Sequence, residues 1–178
     1  MKSEFGGLDW THVAASIPEH GIDIERRAAA GQLNALVQEL GLLSCEGLAV
    51  RYTLKPLGER SYLLSGAVSA DLVQACIVTL DPVAQHFEEA FRIEIRPPDE
   101  AAEATEREHE VLSETDIESF EGETIDVGRI VFGLLSTGLD PYPRKAGAEF
   151  RWSDPKADAD KAAGGPFAAL AKLKSSSE

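Results

Sequence analysis

The stretch LAVRYTLK, residues 48–55, has an alternating pattern from which the prediction of the fold starts. Every second residue in it is apolar or aromatic, and the residues between them are small, polar or charged. Successive side chains of a β-strand point to opposite faces of a sheet, so this alternation predicts a strand with one face in the core. The apolar positions are Leu48, Val50, Tyr52 and Leu54.

Similar patterns on both sides predict further strands. Ile22–Glu25 alternates apolar with charged residues, which indicates a short half-buried strand. The turn-forming residues of Pro56–Arg60 separate the central stretch from Tyr62–Cys76, and Asp81–Pro82 separates that stretch from a last strand containing Phe87–Ile95. Sequential antiparallel pairing is the simplest arrangement, so we expect a largely antiparallel sheet from about Gly21 to Arg96.

Two segments have the spacing of helices. Apolar residues recur at helical intervals between Ala28 and Leu42, and Gly41 suits the end of that helix. Asp126 precedes a second apolar run and is suited to cap its first turn. Together with a short amphipathic segment at Pro166–Lys174, these features predict an α+β fold in which two or three helices pack on the sheet.

The length and composition suit one domain. The chain has 178 residues, and we expect a single α+β domain over residues 1–152, followed by a polar linker and a short C-terminal amphipathic helix over residues 153–178. No apolar run is long enough for a membrane helix, and the first residues lack a basic leader followed by an apolar stretch. We therefore expect a cytoplasmic protein without membrane contact.

The negative charge is concentrated in one segment. The net charge is -14, and residues 97–126 carry twelve acidic residues against a single base, Arg107. Like charges at this density repel one another, so residues 97–116 are predicted to form a flexible acidic loop. The acids considered for partner binding are Glu103, Glu106, Glu108, Glu110, Glu114 and Asp116.

The sequence offers little for catalysis or for metal binding. The two cysteines, Cys45 and Cys76, are predicted to be reduced and to serve as small buried hydrophobic residues. Cys76 with His86 is the one nucleophile–base pair considered, and it is disfavoured because Cys76 falls on the apolar phase of a strand. The histidines lack metal-ligand spacing, and no glycine-rich phosphate loop is present. We expect no enzymatic activity, cofactor, metal or small-molecule substrate.

Nucleic-acid binding meets an electrostatic objection, because phosphate contacts require concentrated Lys and Arg, whereas the dense charge here is negative. Basic residues are nevertheless scattered through the chain, so nucleic-acid binding remains an alternative. The residues considered for RNA contact are Arg26, Arg27, Arg144, Lys145 and Arg151.

Three motifs carry a resemblance to a known family. The first, QACIVTLDPV at residues 74–83, includes Cys76, Thr79, Leu80, Asp81 and Pro82. The second extends from Glu118 to Arg144 and includes Asp126, Gly128, Asp140, Pro141, Tyr142, Pro143 and Arg144. The third, PFAALAKLK at residues 166–174, includes Pro166, Phe167, Leu170 and Leu173. With these motifs in this order, the chain resembles the YceD family, and particularly its alphaproteobacterial branch. Gly133 stands where that family usually has a glutamate.

The resemblance implies a non-enzymatic role in biogenesis of the large ribosomal subunit, through accumulation or processing of 23S ribosomal RNA. One hypothesis is that the acidic segment binds a basic ribosomal protein or assembly factor by charge complementarity. The alternative is direct contact with ribosomal RNA through the basic residues, with Tyr142 stacking on an unpaired base. A remote third is an enzyme that uses Cys76. In the first two, Cys76, Thr79, Asp81 and Pro82 build a corner between two strands, with Asp81 accepting bonds from nearby backbone N–H groups.

Overall fold

A computed structural model of the chain describes residues 7–58, 60–98 and 116–150. The chain divides into two compact units, Met1–Ala146 and Gly147–Glu178. In the second unit residues 147–150 are described, and they contain no helix or strand. The predicted boundary at residue 152, Arg151 and the C-terminal motif with Pro166, Phe167, Leu170 and Leu173 lie outside the described residues, as do five of the acids predicted to bind a partner, Glu103, Glu106, Glu108, Glu110 and Glu114.

The first unit contains seven strands, two helices and a 3-10 turn at Ala14–Ser16 within its described residues. The helices are α1 (Ala30–Leu40) and α2 (Val127–Gly138). The strands are β1 (Thr11–Val13), β2 (Ile22–Arg27), β3 (Ser44–Gly58), β4 (Ser61–Ala75), β5 (Pro82–Arg96), β6 (Asp116–Ser119) and β7 (Thr124–Asp126). This arrangement confirms the predicted α+β fold.

The main sheet has five strands in the order β2-β3-β4-β5-β6. The first four form an antiparallel meander, as the alternation predicted, with Leu54 opposite Leu64 and Leu64 opposite Ile93. The prediction that the sheet ends at Arg96 is wrong, because β6, which lies within the acidic segment of residues 97–126, pairs with β5 in parallel. Four residues, DIES, are too short and too polar to show a strand pattern by themselves.

One face of this sheet packs into the core. Its inward side chains form a single hydrophobic cluster with Leu36 of α1 and with Val131 and Leu135 of α2. The opposite face is open, and Arg51 and Arg92 lie exposed on it. Leu8 and Trp10, which the sequence did not identify as core residues, are also buried in the cluster.

Each helix has one end at the cap residue that the sequence predicted. Gly41 ends α1 in the left-handed conformation, with φ of 64°, where a glycine avoids the steric cost of a Cβ atom. The carboxylate of Asp126 accepts a hydrogen bond from the backbone N–H of Arg129 at 2.9 Å and so caps α2.

The cap at Asp126 leads to a first prediction. Replacing it by Ala removes the acceptor for the Arg129 N–H, so Asp126→Ala is expected to lower the free energy of unfolding by about 1 kcal/mol. Chemical denaturation followed by circular dichroism measures the change. Asp126→Asn keeps a capping oxygen and is expected to retain most of the stability, and equal losses in the two variants would contradict the capping role.

In the part of the chain that the structure describes, no helix has both the length and the apolar character needed to cross a bilayer.

Candidate functional site

The first two sequence motifs meet at one corner of the main sheet, where β4 ends and β5 begins. We call residues 76–81 together with residues 140–145 the β4–β5 corner. The backbone N–H of Ile77 donates to the carbonyl of Pro143 at 2.9 Å. The side-chain amide of Gln74 donates to the carbonyl of Asp140 at 3.0 Å. These bonds hold the proline-rich segment after α2 against the turn that joins the two strands.

Cys76 lies at the centre of this corner. β4 ends at Ala75, so the prediction that Cys76 occupies a strand is wrong. The chain turns here, and the Cys76 N–H donates to the carbonyl of Asp81 at 2.8 Å. The side chain is fully covered but lies outside the main hydrophobic cluster, which includes the other cysteine, Cys45. The prediction that both cysteines are buried and free of a disulfide is confirmed, and Cys45 but not Cys76 belongs to the main cluster.

Hydrogen-bond donors surround the sulfur of Cys76. The backbone N–H of Lys145 lies 3.4 Å from Sγ. That bond, with others from the Thr79 side chain and the backbones of Thr79 and Val78, lowers the pKa of the Cys76 thiol from 9.0 to about 6. These donors stabilise the thiolate more than the thiol. Burial has the opposite effect on Cys45, whose pKa is raised.

Asp81 forms an ion pair across the corner. Its Oδ2 accepts hydrogen bonds from Nζ of Lys145 at 3.0 Å and from Oγ1 of Thr79 at 3.1 Å, and these partners lower the pKa of the carboxyl. The predicted strand–turn–strand corner is confirmed. The predicted backbone bonds to the Asp81 carboxylate are wrong, because within the described residues it is the Thr79 hydroxyl that accepts from a backbone N–H, that of Asp81, at 3.4 Å.

The corner exposes large apolar side chains. Leu80 is 76% exposed, Tyr142 70% and Ile77 46%. Leu80 has φ of 62°, a left-handed conformation that costs roughly 1–2 kcal/mol for a residue with a Cβ atom. Tyr142 is fixed by its backbone N–H, which donates to Oδ1 of Asp140 at 2.8 Å. The exposed ring of Tyr142 does not pack within the proline-rich turn.

The described residues that were considered for RNA contact lie in two separate places on the first unit. Arg27 of β2 lies opposite Ala49, which lies opposite Ser69 of β4. Cys76 follows Ser69 by seven residues, so Arg27 is more than about 20 Å from the corner that carries Arg144 and Lys145. Arg26 is next to Arg27 on the same edge strand.

Two of these basic side chains are also paired with carboxylates. Arg27 binds Glu25 at 3.0 Å, and Arg51 binds the same carboxylate at 3.0 Å from the neighbouring strand. Lys145 binds Asp81. Arg144 is exposed at the corner. The four described candidates, Arg26, Arg27, Arg144 and Lys145, therefore do not form a continuous basic surface.

The pairing of Cys76 with His86, which the sequence disfavoured, is not formed. His86 lies opposite Asp71 on the open face of the sheet, and its Nδ1 is 2.8 Å from Oδ1 of that aspartate, which raises the pKa of the imidazole. His12 contacts the hydroxyl of Tyr52 at 2.7 Å. Among residues 7–58, 60–98 and 116–150, no group of three or more His, Cys, Asp or Glu side chains is arranged to hold a metal ion.

One protein-family model matches a stretch of the chain that contains both motifs of the β4–β5 corner. It describes the large ribosomal RNA subunit accumulation protein YceD and matches residues 64–174, which include both halves of the β4–β5 corner. The chain belongs to the YceD family. Neither the curated proteins nor the solved structures contain a match. Family membership gives the chain a role in accumulation of the large ribosomal RNA subunit.

In this YceD-family chain the second candidate surface is the edge formed by β6 and the loop after it. Asp116, Glu121 and Glu123 are exposed there. Glu118 instead binds the Nη2 atom of Arg129 on α2 at 2.9 Å. Asp116 is the described member of the predicted partner-binding acids, and it is the first residue of β6.

Two glycines within the second motif, Gly128 and Gly133, have opposite surroundings. Gly128 is buried in the first turn of α2, where an added Cβ atom would lie 2.0 Å from the carbonyl oxygen of Leu8. Gly133, where the family resemblance led us to expect a glutamate, is exposed, and an added Cβ atom would meet nothing within 4 Å. Gly128 is thus required for packing, whereas Gly133 faces open space.

Sequence reasoning missed several parts of the corner. The Lys145 backbone, the Gln74 side chain and the left-handed Leu80 all contribute to it, and none has a local sequence signal for that role. The two prolines of Asp140–Arg144 indicated a rigid segment. They gave no indication of which strand that segment would cover.

Proposed function

We propose that this YceD-family chain is a non-enzymatic, cytoplasmic accessory factor in biogenesis of the large ribosomal subunit. In this proposal it binds a basic ribosomal protein or assembly factor through its acidic segment, residues 97–126. The observation that carries the proposal is the separation of charge, because twelve of the 31 acidic residues fall in that segment with a single base. Complementary charge of this kind speeds encounter and selects partners.

Direct RNA contact is the alternative reading, and the geometry favours it less. The described basic candidates lie at two distant places on the molecule, and Arg27 and Lys145 are engaged by carboxylates. A protein that follows a phosphate backbone gains affinity by releasing several counterions, which requires neighbouring unpaired cations. Tyr142, two residues before Arg144, has an exposed ring on which an unpaired base can stack. The RNA alternative can therefore be tested at this residue.

An enzyme that uses Cys76 is also less well supported. The groups that contact its sulfur are N–H and O–H donors, and His86 is held by Asp71 on the open face. A nucleophilic cysteine also needs an approach path for substrate, whereas this side chain is fully covered. The proposal therefore includes no catalytic residue, cofactor, metal or small-molecule substrate.

The acidic-segment proposal predicts a loss of binding on neutralisation. A variant with Gln at Glu103, Glu106, Glu108 and Glu110 is expected to retain a basic large-subunit protein about 10-fold less well than the natural chain. Four exposed ion pairs at about 0.4 kcal/mol each give a change of that size. The measurement uses the tagged full-length chain, RNA-free proteins extracted from purified large ribosomal subunits, and mass spectrometry of what is retained.

A matched variant controls for net charge. Glu19, Glu39, Glu46 and Glu88 are exposed and lie outside the acidic segment, so replacing them by Gln changes the net charge equally. This variant is expected to bind like the natural chain. Equal losses in both variants would show that only overall charge matters. In a parallel capture from lysate, loss of all ribosomal material after nuclease treatment would favour RNA contact and overturn the protein-binding proposal.

A further inference from the structure

Most of the outer edge of β5 has no neighbouring strand. β5 spans 15 residues, Pro82–Arg96, and β6 pairs with its end, Ile93–Arg96. Within residues 7–58, 60–98 and 116–150, no other strand lies on this side of β5. An edge of this kind presents N–H and C=O groups that can pair with a further strand. The stretch from Pro82 to Arg92 is therefore a candidate surface for strand addition.

Hydrogen bonds at the two ends of β5 identify its outward-facing residues. The carbonyl of Arg96 accepts from the N–H of Phe120, just after β6, at 2.7 Å, so Arg96 faces outward. The carbonyl of Asp81 accepts from Cys76, just after β4, so Asp81 faces inward. Backbone groups alternate along a strand, and β4 pairs with β5 without a register shift. The residues whose N–H and C=O groups face outward are therefore Ala84, His86, Glu88, Ala90 and Arg92.

We propose that this edge pairs with the same edge of a second copy of the chain, antiparallel about a twofold axis at Phe87. Outward-facing residues must oppose outward-facing residues, so Ala84 lies opposite Ala90, and His86 opposite Glu88, of the other copy. Each such pair exchanges two hydrogen bonds, which gives about eight across the axis. The main sheets, with five strands in each copy, join into one.

The length of the free edge fits this register. Phe87 lies at the middle of Pro82–Arg92, so pairing about Phe87 uses the free stretch and ends before Ile93, where β6 begins to pair. Moving the axis toward Arg96 would bring the second copy's strand onto β6, because both would occupy the position about 4.8 Å from β5. The position of β6 therefore limits where the axis can lie.

The charges on the open face of the sheet favour the same axis. His86 and Glu88 are both exposed there, and an axis at Phe87 places each opposite the other. Asp71 holds Nδ1 of His86 at 2.8 Å, so Nε2 is the atom that would bind Glu88. An axis one residue away in either direction would oppose Glu88 to Glu88 or His86 to His86. Like charges directly opposite each other destabilise a sheet.

The end of α2 leaves room at the axis. α2 reaches β5 at Phe87, because a Cβ atom added at Gly138 would overlap the ring of Phe87. The exposed residues at this end of the helix are small, namely Ser136, Thr137 and Gly138. The last turn of α2 therefore adds no large exposed side chain beside the axis.

The dependence on salt separates this contact from the proposed function, on which it does not rest. The net charge of -14 on each copy opposes association. Salt screens that repulsion but does not remove backbone hydrogen bonds, so the dimer is expected to become tighter as salt is raised. Retention of a basic protein through charge is expected to weaken under the same conditions.

Ala90→Pro tests the proposal. Proline removes one outward N–H, and an edge strand accepts it, so the bonds from β5 to β4 remain. The two copies together lose two hydrogen bonds, and we expect the dissociation constant of the dimer to rise about 30-fold. Glu25→Pro is the matched control on the other edge strand, β2, where Glu25 faces outward because Ala28 donates to Leu48 of β3. This control is expected to dimerise like the natural chain.

Sedimentation velocity of the full-length chain, over a series of protein and salt concentrations, measures the dissociation constant. Glu88→Arg, which opposes two basic groups, serves if Ala90→Pro does not fold, with Glu46→Arg as its control for net charge at another exposed position. A monomer of 19.2 kDa at every concentration would overturn the proposal. A dimer that Ala90→Pro and Glu88→Arg leave intact, or that the control variants weaken equally, would also overturn it.

Disulfide trapping tests the register. Copies carrying Glu88→Cys mixed with copies carrying His86→Cys are expected to form a disulfide-linked dimer, because opposed residues of such a pair lie about 5.5 Å apart. Copies carrying Glu88→Cys alone are not expected to link, because the two positions are then diagonal neighbours about 7–8 Å apart. Linking in the single variant and not in the mixture would overturn the axis at Phe87.

Discussion

Gly128→Ala is expected to lower the free energy of unfolding by about 3 kcal/mol, the upper part of the range for inserting a methyl group into a packed interior. The added Cβ would lie 2.0 Å from the Leu8 carbonyl oxygen and 2.9 Å from its carbonyl carbon. Both are backbone atoms, so neither can move away by a rotamer change. The N–H of Gly128 also donates to the carbonyl of Trp10 at 3.2 Å, which ties the segment containing Leu8 and Trp10 to the start of α2.

Gly133→Ala provides the control for Gly128→Ala. It makes the same chemical change in the same helix at an exposed position with no neighbouring atom. It is expected to raise the free energy of unfolding by about 0.5–1 kcal/mol, because Ala loses less backbone entropy than Gly in a helix. Denaturant titrations of both variants measure the two effects. Equal and small changes would mean that the close approach of Leu8 to α2 does not contribute to stability.

Acidification from pH 9 toward pH 6 is expected to weaken the contribution of Cys76 to stability. The folded-state pKa of this thiol is about 6, below the value of 9.0 for an unperturbed cysteine. A group whose pKa is lowered by folding contributes its full stabilisation above the unfolded pKa and loses it as the pH falls through the folded pKa. Within this window, stability due to Cys76 therefore increases with pH.

Cys76→Ser isolates this contribution, because a serine hydroxyl does not ionise in that range. The difference in unfolding free energy between the natural chain and Cys76→Ser should grow from pH 6 to pH 9. His86 has a raised pKa and contributes in the opposite direction, but it is common to both chains and cancels in the difference. A pH-independent difference would contradict the stabilised thiolate.

Thiolate absorbance in the ultraviolet gives a second measurement. In the folded Cys45→Ser variant we expect one thiol to titrate near pH 6, the value for Cys76. Because the Cys76 side chain is fully covered, its reaction with an alkylating reagent should nevertheless be slow until the β4–β5 corner opens. Fast alkylation at neutral pH would show that Cys76 is an accessible nucleophile and would support the alternative that the chain is an enzyme using Cys76.

The sequence by itself determined the elements whose signals are local. Alternation in Leu48–Lys55 and its neighbours predicted the antiparallel meander, because a strand with one buried face must repeat every two residues. The carboxylate of Asp126 predicted the start of α2, and Gly41 the end of α1, because caps depend on residues within one turn. The charge of the acidic segment and the family motifs could likewise be identified from the sequence without coordinates.

Tertiary structure alone decided which distant segments meet. The parallel pairing of Ile93 with Asp116 joins two strands that residues 97–115 separate in the chain, and no periodicity within four residues predicts such a contact. Cys76 looked like one more apolar strand residue, yet its pKa depends on a backbone N–H that lies 69 residues away. A short stretch of sequence specifies the local backbone conformation and the face of a strand or helix that is buried. The protonation of Cys76 and the close backbone approach at Gly128 depend on neighbours that only the folded chain brings together.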